Sequence, residues 1–227
     1  DSGELPSAGK PFNDTVFSRL TDADIGVEEA KQRLSCLRPD KAAGVDDMAP
    51  RLLRELADEL ACPVARIFRQ SLDSGVVPED WRDANVTPLY KKGSRQLAEN
   101  YRPISLTSQL SKVLESILRD EMVNHLDRYK LLCSSQHGFR RGRSCGTNLL
   151  MFLEYVTQRL EGGVSVDAIF LDFAKAFDRM PHARLMAKVR AHGIDGKVAD
   201  WIASWLRGRK QRVCVRGRRS SWKLMIS

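Results

Sequence analysis

The sequence lacks the features that mark secreted, zinc-binding and membrane-spanning proteins. Its five cysteines are odd in number and far apart, with no Cys-x-x-Cys pair and no clustered histidines, which argues against a disulfide framework and against a zinc site. There is no charged-then-apolar leader, and no apolar run is long enough to cross a bilayer. We therefore expect an intracellular protein, cytoplasmic or nuclear, with reduced cysteines. Because the first residue is Asp rather than Met, we also expect the chain to be part of a longer polypeptide.

Acidic residues are missing from the C-terminal segment. Residues 201–227 contain eight basic residues and no Asp or Glu, whereas the other 200 residues hold 29 basic and 29 acidic residues, so the net charge of +8 comes from this segment. Its basic residues alternate with Trp201, Trp205 and Trp222, a pattern that favours nucleic acid over a membrane as the partner. The alternative is a solvated basic face with no partner.

Helical and strand-like patterns along the chain predict an α+β fold. After a loose lead-in over residues 1–25, a first helix ends before Pro39, and Pro50 and Pro63 each open a further helix. The third helix ends at Gly75, and Pro88 indicates that the following strand lies at a sheet edge. The remaining predicted elements are strands at 86–90 and 104–106, helices at 108–131, 147–160, 181–191 and 197–206, and a basic hairpin of 211–215 with 221–226.

Residues 166–172 read Val-Asp-Ala-Ile-Phe-Leu-Asp and predict a short buried strand that ends on a carboxylate. Alternation along the strand places Ala168, Phe170 and Asp172 on one face. The Asp172 carboxylate must then be hydrogen-bonded, paired, neutral or metal-bound, because burying it bare costs several kcal/mol. Two interpretations remain open from these residues alone: Asp172 caps the following helix, or it takes part in catalysis.

Five motif blocks occur in order from about residue 27 to the end of the chain. They are residues 41–46 (Lys-Ala-Ala-Gly-Val-Asp), 81–93 (ending Lys-Lys-Gly), 100–106 (Asn-Tyr-Arg-Pro-Ile-Ser-Leu), 138–144 (Gly-Phe-Arg-Arg-Gly-Arg-Ser) and 170–178 (Phe-Leu-Asp-Phe-Ala-Lys-Ala-Phe-Asp). One such block would be a weak signal. Five in this order strongly resemble the reverse transcriptases of non-LTR (LINE-type) retrotransposons.

The resemblance implies a partial right-hand polymerase with helical and β-hairpin fingers and an incomplete palm sheet. Residues 26–160 correspond to a fingers-like region, and residues 161–227 correspond to a partial palm with the basic C-terminal hairpin. The implied activity is that of an RNA-directed DNA polymerase. Its partners would be an RNA template, a DNA primer and deoxynucleoside triphosphates.

The block around Asp172 resembles the first catalytic motif of the palm, which makes Asp172 the expected catalytic residue. In that family two Mg²⁺ ions stabilise the attacking and leaving oxygens of nucleotidyl transfer. Asp172 and the backbone carbonyl of Phe173 would be ligands of these hard cations. Phe177 matches the aromatic ring that lies under the incoming sugar and excludes a 2′-hydroxyl, with an ordinary core phenylalanine as the alternative. Asp178 is expected to be structural.

Basic residues supply the other expected contacts. Lys91, Lys92 and Arg102 resemble the fingers residues that meet the triphosphate, together with Phe173 and Phe177 as nucleotide-binding residues; the alternative for the lysines is a solvated basic turn. Contacts with the nucleic-acid backbone are expected from Arg140, Arg141, Arg143, Arg209 and Arg212.

The sequence also lacks parts that the family needs. No Asp-Asp pair follows Asp178, so the second set of palm carboxylates is missing, as are a glycine-containing block and a thumb. We therefore expect this chain alone to be inactive and the missing palm and thumb to lie in a longer polypeptide. Two other interpretations are a catalytically inactive nucleic-acid-binding remnant and a structural or interaction module.

Overall fold

The computed structural model describes residues 18–173, 176 and 179–225. These residues form two compact units, one running to His125 and resuming at Met180, and the other comprising Leu126–Arg179. The described helices are α1 (Val27–Ser35), α2 (Pro50–Glu55), α3 (Ala57–Ser74), α4 (Glu79–Arg82), α5 (Gln109–Arg128), α6 (Cys145–Glu161), α7 (His182–Ala191) and α8 (Gly196–Leu206). The described strands are β1 (Asp83–Tyr90), β2 (Tyr101–Leu106), β3 (Lys210–Val215), β4 (Arg218–Arg219) and β5 (Lys223–Leu224), and a 3-10 turn (Ala98–Asn100) precedes β2. The predicted α+β class is confirmed.

A small mixed sheet in the first unit connects distant parts of the sequence. Its order is β2-β1-β3-β4, with β5 also paired to β3. β1 runs antiparallel to β2 and parallel to β3, but β3 pairs only with residues 83–86 of β1. Beyond that point β1 has β2 alone beside it, so Pro88, which has no backbone N–H, lies where β1 forms a sheet edge. The predicted basic hairpin is confirmed as β3 with β4 and β5.

The core of the first unit lies among α1, α3 and α8. Leu34, Phe68 and Val198 are fully buried, and Trp201 is 2% exposed. The indole N–H of Trp201 donates to Ser71 Oγ at 2.9 Å, which satisfies the one polar group of a buried tryptophan. Trp201 is therefore a core residue rather than part of an exposed basic surface.

The predicted start of the third helix is wrong. Pro63 does not open a helix but lies inside α3, which begins at Ala57. Pro63 is exposed, while Ala61, Val64 and Ala65 are buried around it, so packing continues the helix through the residue that lacks an N–H. Gly75 does end α3, with φ +66°.

The lead-in prediction is wrong for the residues from Leu20 to Ile25. Leu20 forms a parallel β-bridge with Ile194, and both Ala23 and Ile25 are buried. Packing against a segment far away in the sequence leaves no local periodicity, so the order of residues 20–25 could not be predicted from the sequence alone. Residues 1–17 lie outside the described part of the chain.

Among the described helices, none combines the length and the apolar content that crossing a bilayer demands.

A charge network ties the start of the described chain to α3 and α8. Arg69 Nη2 lies 2.6 Å from Asp22 Oδ1 and 2.7 Å from Asp73 Oδ1, and Lys197 Nζ lies 2.6 Å from the same Asp73 oxygen. Hydrogen bonds from Arg69 and Lys197 lower the pKa of Asp73 from its ordinary value of 3.8 to about 2. Because this pKa is depressed on folding, the carboxylate stabilises the fold above pH 3.8, and that contribution is lost as the pH falls through about 2.

We expect Asp73→Asn to make the free energy of unfolding depend less on pH in the acid range. In wild type the free energy of unfolding should fall between about pH 4 and about pH 2, and the variant should lose less over that window because it has no carboxylate to protonate. Urea unfolding at a series of pH values measures the difference. Asp80→Asn removes the same charge from the exposed surface of α4 and should keep the wild-type slope. An unchanged slope in Asp73→Asn would contradict the role of the network.

Candidate nucleotide and nucleic-acid site

The turn after β1 carries two of the predicted nucleotide-binding residues and is fixed by its own hydrogen bonds. The Tyr90 hydroxyl donates to Gly93 O at 2.7 Å, and the backbone N–H of Lys91 donates to Asn100 O at 2.8 Å. Gly93 has φ +86°, and a Cβ there would lie 2.8 Å from the side-chain Nδ2 of Asn100. The turn therefore requires glycine, and Lys92 stands directly before it.

The three predicted triphosphate contacts lie at the same end of the hairpin. Arg102 in β2 pairs opposite Leu89 of β1, close to the point where Lys91 and Lys92 follow. All three cations are exposed. Exposed cations on a fixed turn fit both interpretations, a triphosphate contact and a solvated basic turn, so their role stays a prediction.

The first motif block packs against the start of α5. The Gln109 side chain donates to Ala42 O at 2.8 Å. Gly44 lies against the backbone of the two residues that precede α5. A Cβ on Gly44 would lie 2.3 Å from Thr107 O and 2.6 Å from Ser108 N. The glycine of this block is thus required by a close backbone approach rather than by an unusual φ.

In the second unit, the loop before α6 holds two of its three arginines by internal contacts. Arg140 donates to Cys133 O at 3.2 Å and forms an ion pair with Asp127 at 3.1 Å. Arg143 Nη1 lies 3.1 Å from His137 Nε2. Arg141 is exposed. Of the three predicted backbone contacts, Arg141 is therefore the one presented to solvent, while Arg140 and Arg143 also shape the loop.

Arg209 directly precedes β3 and packs against Trp205 of α8. Its guanidinium is 4.2 Å from the centre of the Trp205 ring, and Trp205 Nε1 donates to Glu115 Oε1 at 3.1 Å. Burial lowers the pKa of Arg209, and nearby Glu115 opposes that shift. Arg209 Nε is buried without a hydrogen bond among the described residues. Arg209 thus has a structural role, and its contact with nucleic acid stays a prediction.

Arg212 is similarly engaged within the sheet. Its Nε donates to Asn85 Oδ1 at 2.8 Å, and its guanidinium lies 4.3 Å from the centre of the Trp222 ring. The parallel register of β1 and β3 places Asn85 opposite Arg212. The sequence did not predict that Asn85 accepts a hydrogen bond from Arg212 or that Glu115 accepts one from Trp205 beside Arg209, because pairing between residues 90 or more positions apart leaves no local pattern.

The segment that carries Asp172 differs from its prediction. Residues 164–173 have no strand hydrogen bonds, so the predicted buried strand at 166–172 is wrong. Ile169, Phe170 and Phe173 are 81–85% exposed, and Asp172 is exposed as well. A strand is stable only when neighbours pair with its backbone, and none of the described strands pairs with this segment.

This segment makes an aromatic contact within the second unit. The Phe170 ring packs against Phe152 of α6, with ring centres 5.9 Å apart. α6 itself begins with a capping box, in which Ser144 and Thr147 exchange side-chain to backbone hydrogen bonds. Phe177, the predicted sugar contact, and Asp178 lie outside the described residues.

The described residues do not assemble a metal site around Asp172. Within the described part of the chain there is no group of three or more His, Cys, Asp or Glu side chains placed to hold a metal ion. Asp172 is an oxygen donor of the kind that Mg²⁺ binds, but a metal pair takes several carboxylates. The described chain thus supplies one candidate carboxylate ligand, Asp172, and not the set.

Comparison with known proteins identifies the family. The model of the family described as "Reverse transcriptase (RNA-dependent DNA polymerase)" matches residues 89–225, more than half of the chain. The chain belongs to the reverse transcriptase family. The predicted resemblance to enzymes of non-LTR retrotransposons is confirmed by its relatives.

The relatives of this reverse transcriptase chain come from mobile elements. It is 30% identical over 213 residues to the RNA-directed DNA polymerase from mobile element jockey of Drosophila funebris, covering 93% of this chain and 23% of that protein. It is 29% identical over 167 residues to the probable RNA-directed DNA polymerase from transposon BS of Drosophila melanogaster, covering 73% and 18%. It is 29% identical over 132 residues to the Pol polyprotein from a type-1 R2 element of Popillia japonica, covering 58% and 18%. The chain thus spans about a fifth of the length of these relatives.

The family match covers every predicted site residue of this reverse transcriptase chain. Lys91 is the first of them and Arg212 the last, and both lie within residues 89–225. Reverse transcriptases generally use divalent metal ions, and the role of Asp172 as an oxygen ligand for them stays a prediction. The roles of individual residues, and the division into fingers at 26–160 and palm at 161–227, stay predictions; the two compact units have their own boundaries at residues 125 and 180.

Proposed function

We propose that this chain is the fingers and the first part of the palm of an RNA-directed DNA polymerase that copies retrotransposon RNA into DNA. The family match over residues 89–225 carries the proposal, because it spans four of the five ordered motif blocks wholly or in part. The relatives named as RNA-directed DNA polymerases of mobile elements support it further.

The cations of the β1–β2 hairpin bind the incoming nucleotide in this proposal. Lys91 and Lys92 neutralise phosphate charge as point charges, and Arg102 holds phosphate oxygens in a fork. Their common place at the end of one hairpin, with Gly93 fixing the turn, supports this role. Phe177 stands under the sugar and favours deoxynucleotides. Arg141 and the other arginines of its loop contact the RNA template or the DNA primer through the phosphate backbone.

Asp172 provides one ligand for a pair of Mg²⁺ ions, whose charge stabilises the transferring phosphate when the site is complete. Phe173 contributes its backbone carbonyl to the same site. The remaining carboxylates come from outside the described residues, in the palm of a longer polypeptide. The exposed, unpaired state of residues 164–173 supports this division, because an apolar segment of this kind is stable as a strand only beside partner strands.

A second candidate function is that of an inactive remnant that binds nucleic acid. The observation that favours it is the ligand set: within the described residues, Asp172 has no companions for a metal pair. In this case the basic residues would retain their contacts with nucleic acid, while nucleotidyl transfer would be lost.

Primer extension on an RNA template distinguishes the polymerase from the inactive remnant. We expect no extension by residues 1–227 alone and Mg²⁺-dependent extension by a longer polypeptide that supplies the rest of the palm and the thumb. A polypeptide with both additions that binds primer and template but incorporates no deoxynucleotide would favour the remnant. Extension by residues 1–227 alone would contradict the assignment of the remaining ligands to other parts of the protein.

A further inference from the structure

A cleft lined by arginines lies in the first unit, and its described lining residues do not include those assigned to nucleotide binding. Its volume is about 810 Å³, and it lies among α4, α7, α8 and the turn that ends α3. Arg82, Arg190 and Arg207 contribute three positive charges to its lining, and Asp200 is the acidic residue among the described residues that line it. A concave surface with excess positive charge concentrates the electrostatic field on an anion inside it.

Arg82 has hydrogen-bonding capacity that the fold leaves unused. Its Nη1 lies 3.5 Å from Arg207 O, a long contact, and its buried Nε has no hydrogen-bond partner among the described residues. Arginine has five N–H donors, and leaving a buried donor unpaired is costly. Gly208, with φ +63°, lets the chain pass beside the guanidinium, since a Cβ there would lie 3.4 Å from Arg82 Nη1.

The other positively charged groups of the cleft also favour an anion. Arg207 is the C-cap residue of α8 and is exposed. Arg190 pairs with Asp200 at 3.1 Å and with Asp195 at 3.4 Å on a solvent-exposed surface, where such pairs are weak and exchange readily. The first turn of α7, with His182 and Ala183, faces the same cleft. Pro181 provides no side-chain cap for that turn, so the positive end of the helix adds to the charge of the arginines.

We propose that this cleft binds phosphodiester groups of a nucleic-acid strand and so forms a second backbone-binding site on the chain. The choice of nucleic acid as the source of phosphate rests on the proposed polymerase function. Arg207 belongs to the C-terminal segment of the chain that carries eight basic and no acidic residues, and this excess of positive charge favours a polyanion as the occupant. The volume is that of a small-ligand pocket and accommodates a nucleotide unit rather than a duplex.

The salt dependence of RNA binding tests the cleft. A labelled single-stranded RNA of about 16 nucleotides is titrated with the 227-residue chain, and fluorescence anisotropy measures binding. The titration is repeated at salt concentrations from about 50 to 200 mM to give the affinity at each. Arg190→Gln with Arg207→Gln should weaken binding and reduce the slope of log K against log salt by about 1.4, that is about 0.7 for each lost phosphate contact. Arg54→Gln with Arg66→Gln removes the same charge from exposed positions outside the cleft and should leave the slope near that of wild type.

Hydrogen exchange on the wild-type chain provides a readout that does not depend on any variant folding. Bound RNA should slow exchange in the first turn of α7 and around residues 203–207. Deoxythymidine triphosphate or inorganic phosphate at the same phosphate concentration should protect these amides much less. Protection by the triphosphate and not by RNA would overturn the proposal in favour of a free-nucleotide site. Absent RNA binding, an unchanged slope in the cleft variant, or equal losses in the control variant would overturn it as well.

The outcomes also separate the cleft from the polymerase assignment. RNA protection of α7 with no primer extension by the longer polypeptide would reject the polymerase and keep the cleft. Primer extension with no protection of α7 would reject the cleft alone.

Discussion

Gly44→Ala is expected to destabilise the first unit by roughly 3 kcal/mol or more. The added Cβ would lie 2.3 Å from Thr107 O and 2.6 Å from Ser108 N, both of them backbone atoms that cannot rotate away. The loop of residues 41–47 would have to separate from α5 and lose the hydrogen bond from Gln109 to Ala42 O. A lower urea midpoint with an unchanged m-value would report this loss of stability.

Gly26→Ala is the matched control for this prediction. A Cβ on Gly26 has nothing within 4 Å, and Gly26 is the N-cap of α1 in the same unit. Its replacement should cost at most about 1 kcal/mol through the cap. If both variants unfolded at the same urea concentration, the close packing of the first motif block against α5 would be refuted.

Elements with strong local patterns could be predicted from the sequence. α5 follows its apolar spacing, since Val113, Leu114, Ile117 and Leu118 are buried along one stripe. α3 ends at Gly75 because only glycine adopts a positive φ there without strain. β1 and β2 pair as expected because the ten residues that separate them include a turn-forming sequence with Gly93.

Elements that depend on distant partners could not be predicted. The parallel pairing of β1 with β3 joins residues about 127 positions apart, as in the hydrogen bond from Arg212 to Asn85. The 166–172 segment has the composition of a buried strand, but composition does not supply the neighbouring strands that such a segment needs. The candidate site could be predicted for a different reason, because the order of the motif blocks identified the family. The surroundings of Asp172 could not be predicted from the sequence and are seen only in the structure.

Asp172→Asn is expected to abolish primer extension in a polypeptide that supplies the remaining palm and thumb. The amide is a neutral and poorer ligand for Mg²⁺, and losing several kcal/mol of charge stabilisation slows the reaction by about a thousandfold or more. Affinity for primer and template should change little, because an exposed carboxylate adds no attraction to a phosphate backbone. Single-turnover extension with saturating primer and template measures the chemical step separately from binding.

The most direct measurement is the ratio of extension rates between Asp172→Asn and Asp167→Asn in that longer polypeptide. Both carboxylates are exposed in the same segment, five positions apart, and both changes remove one negative charge. The polymerase assignment predicts that Asp167→Asn retains nearly the wild-type rate on an RNA template, while Asp172→Asn shows almost no product with RNA binding intact. Equal rates in the two variants would contradict the assignment of Asp172 as the catalytic carboxylate of this reverse transcriptase chain.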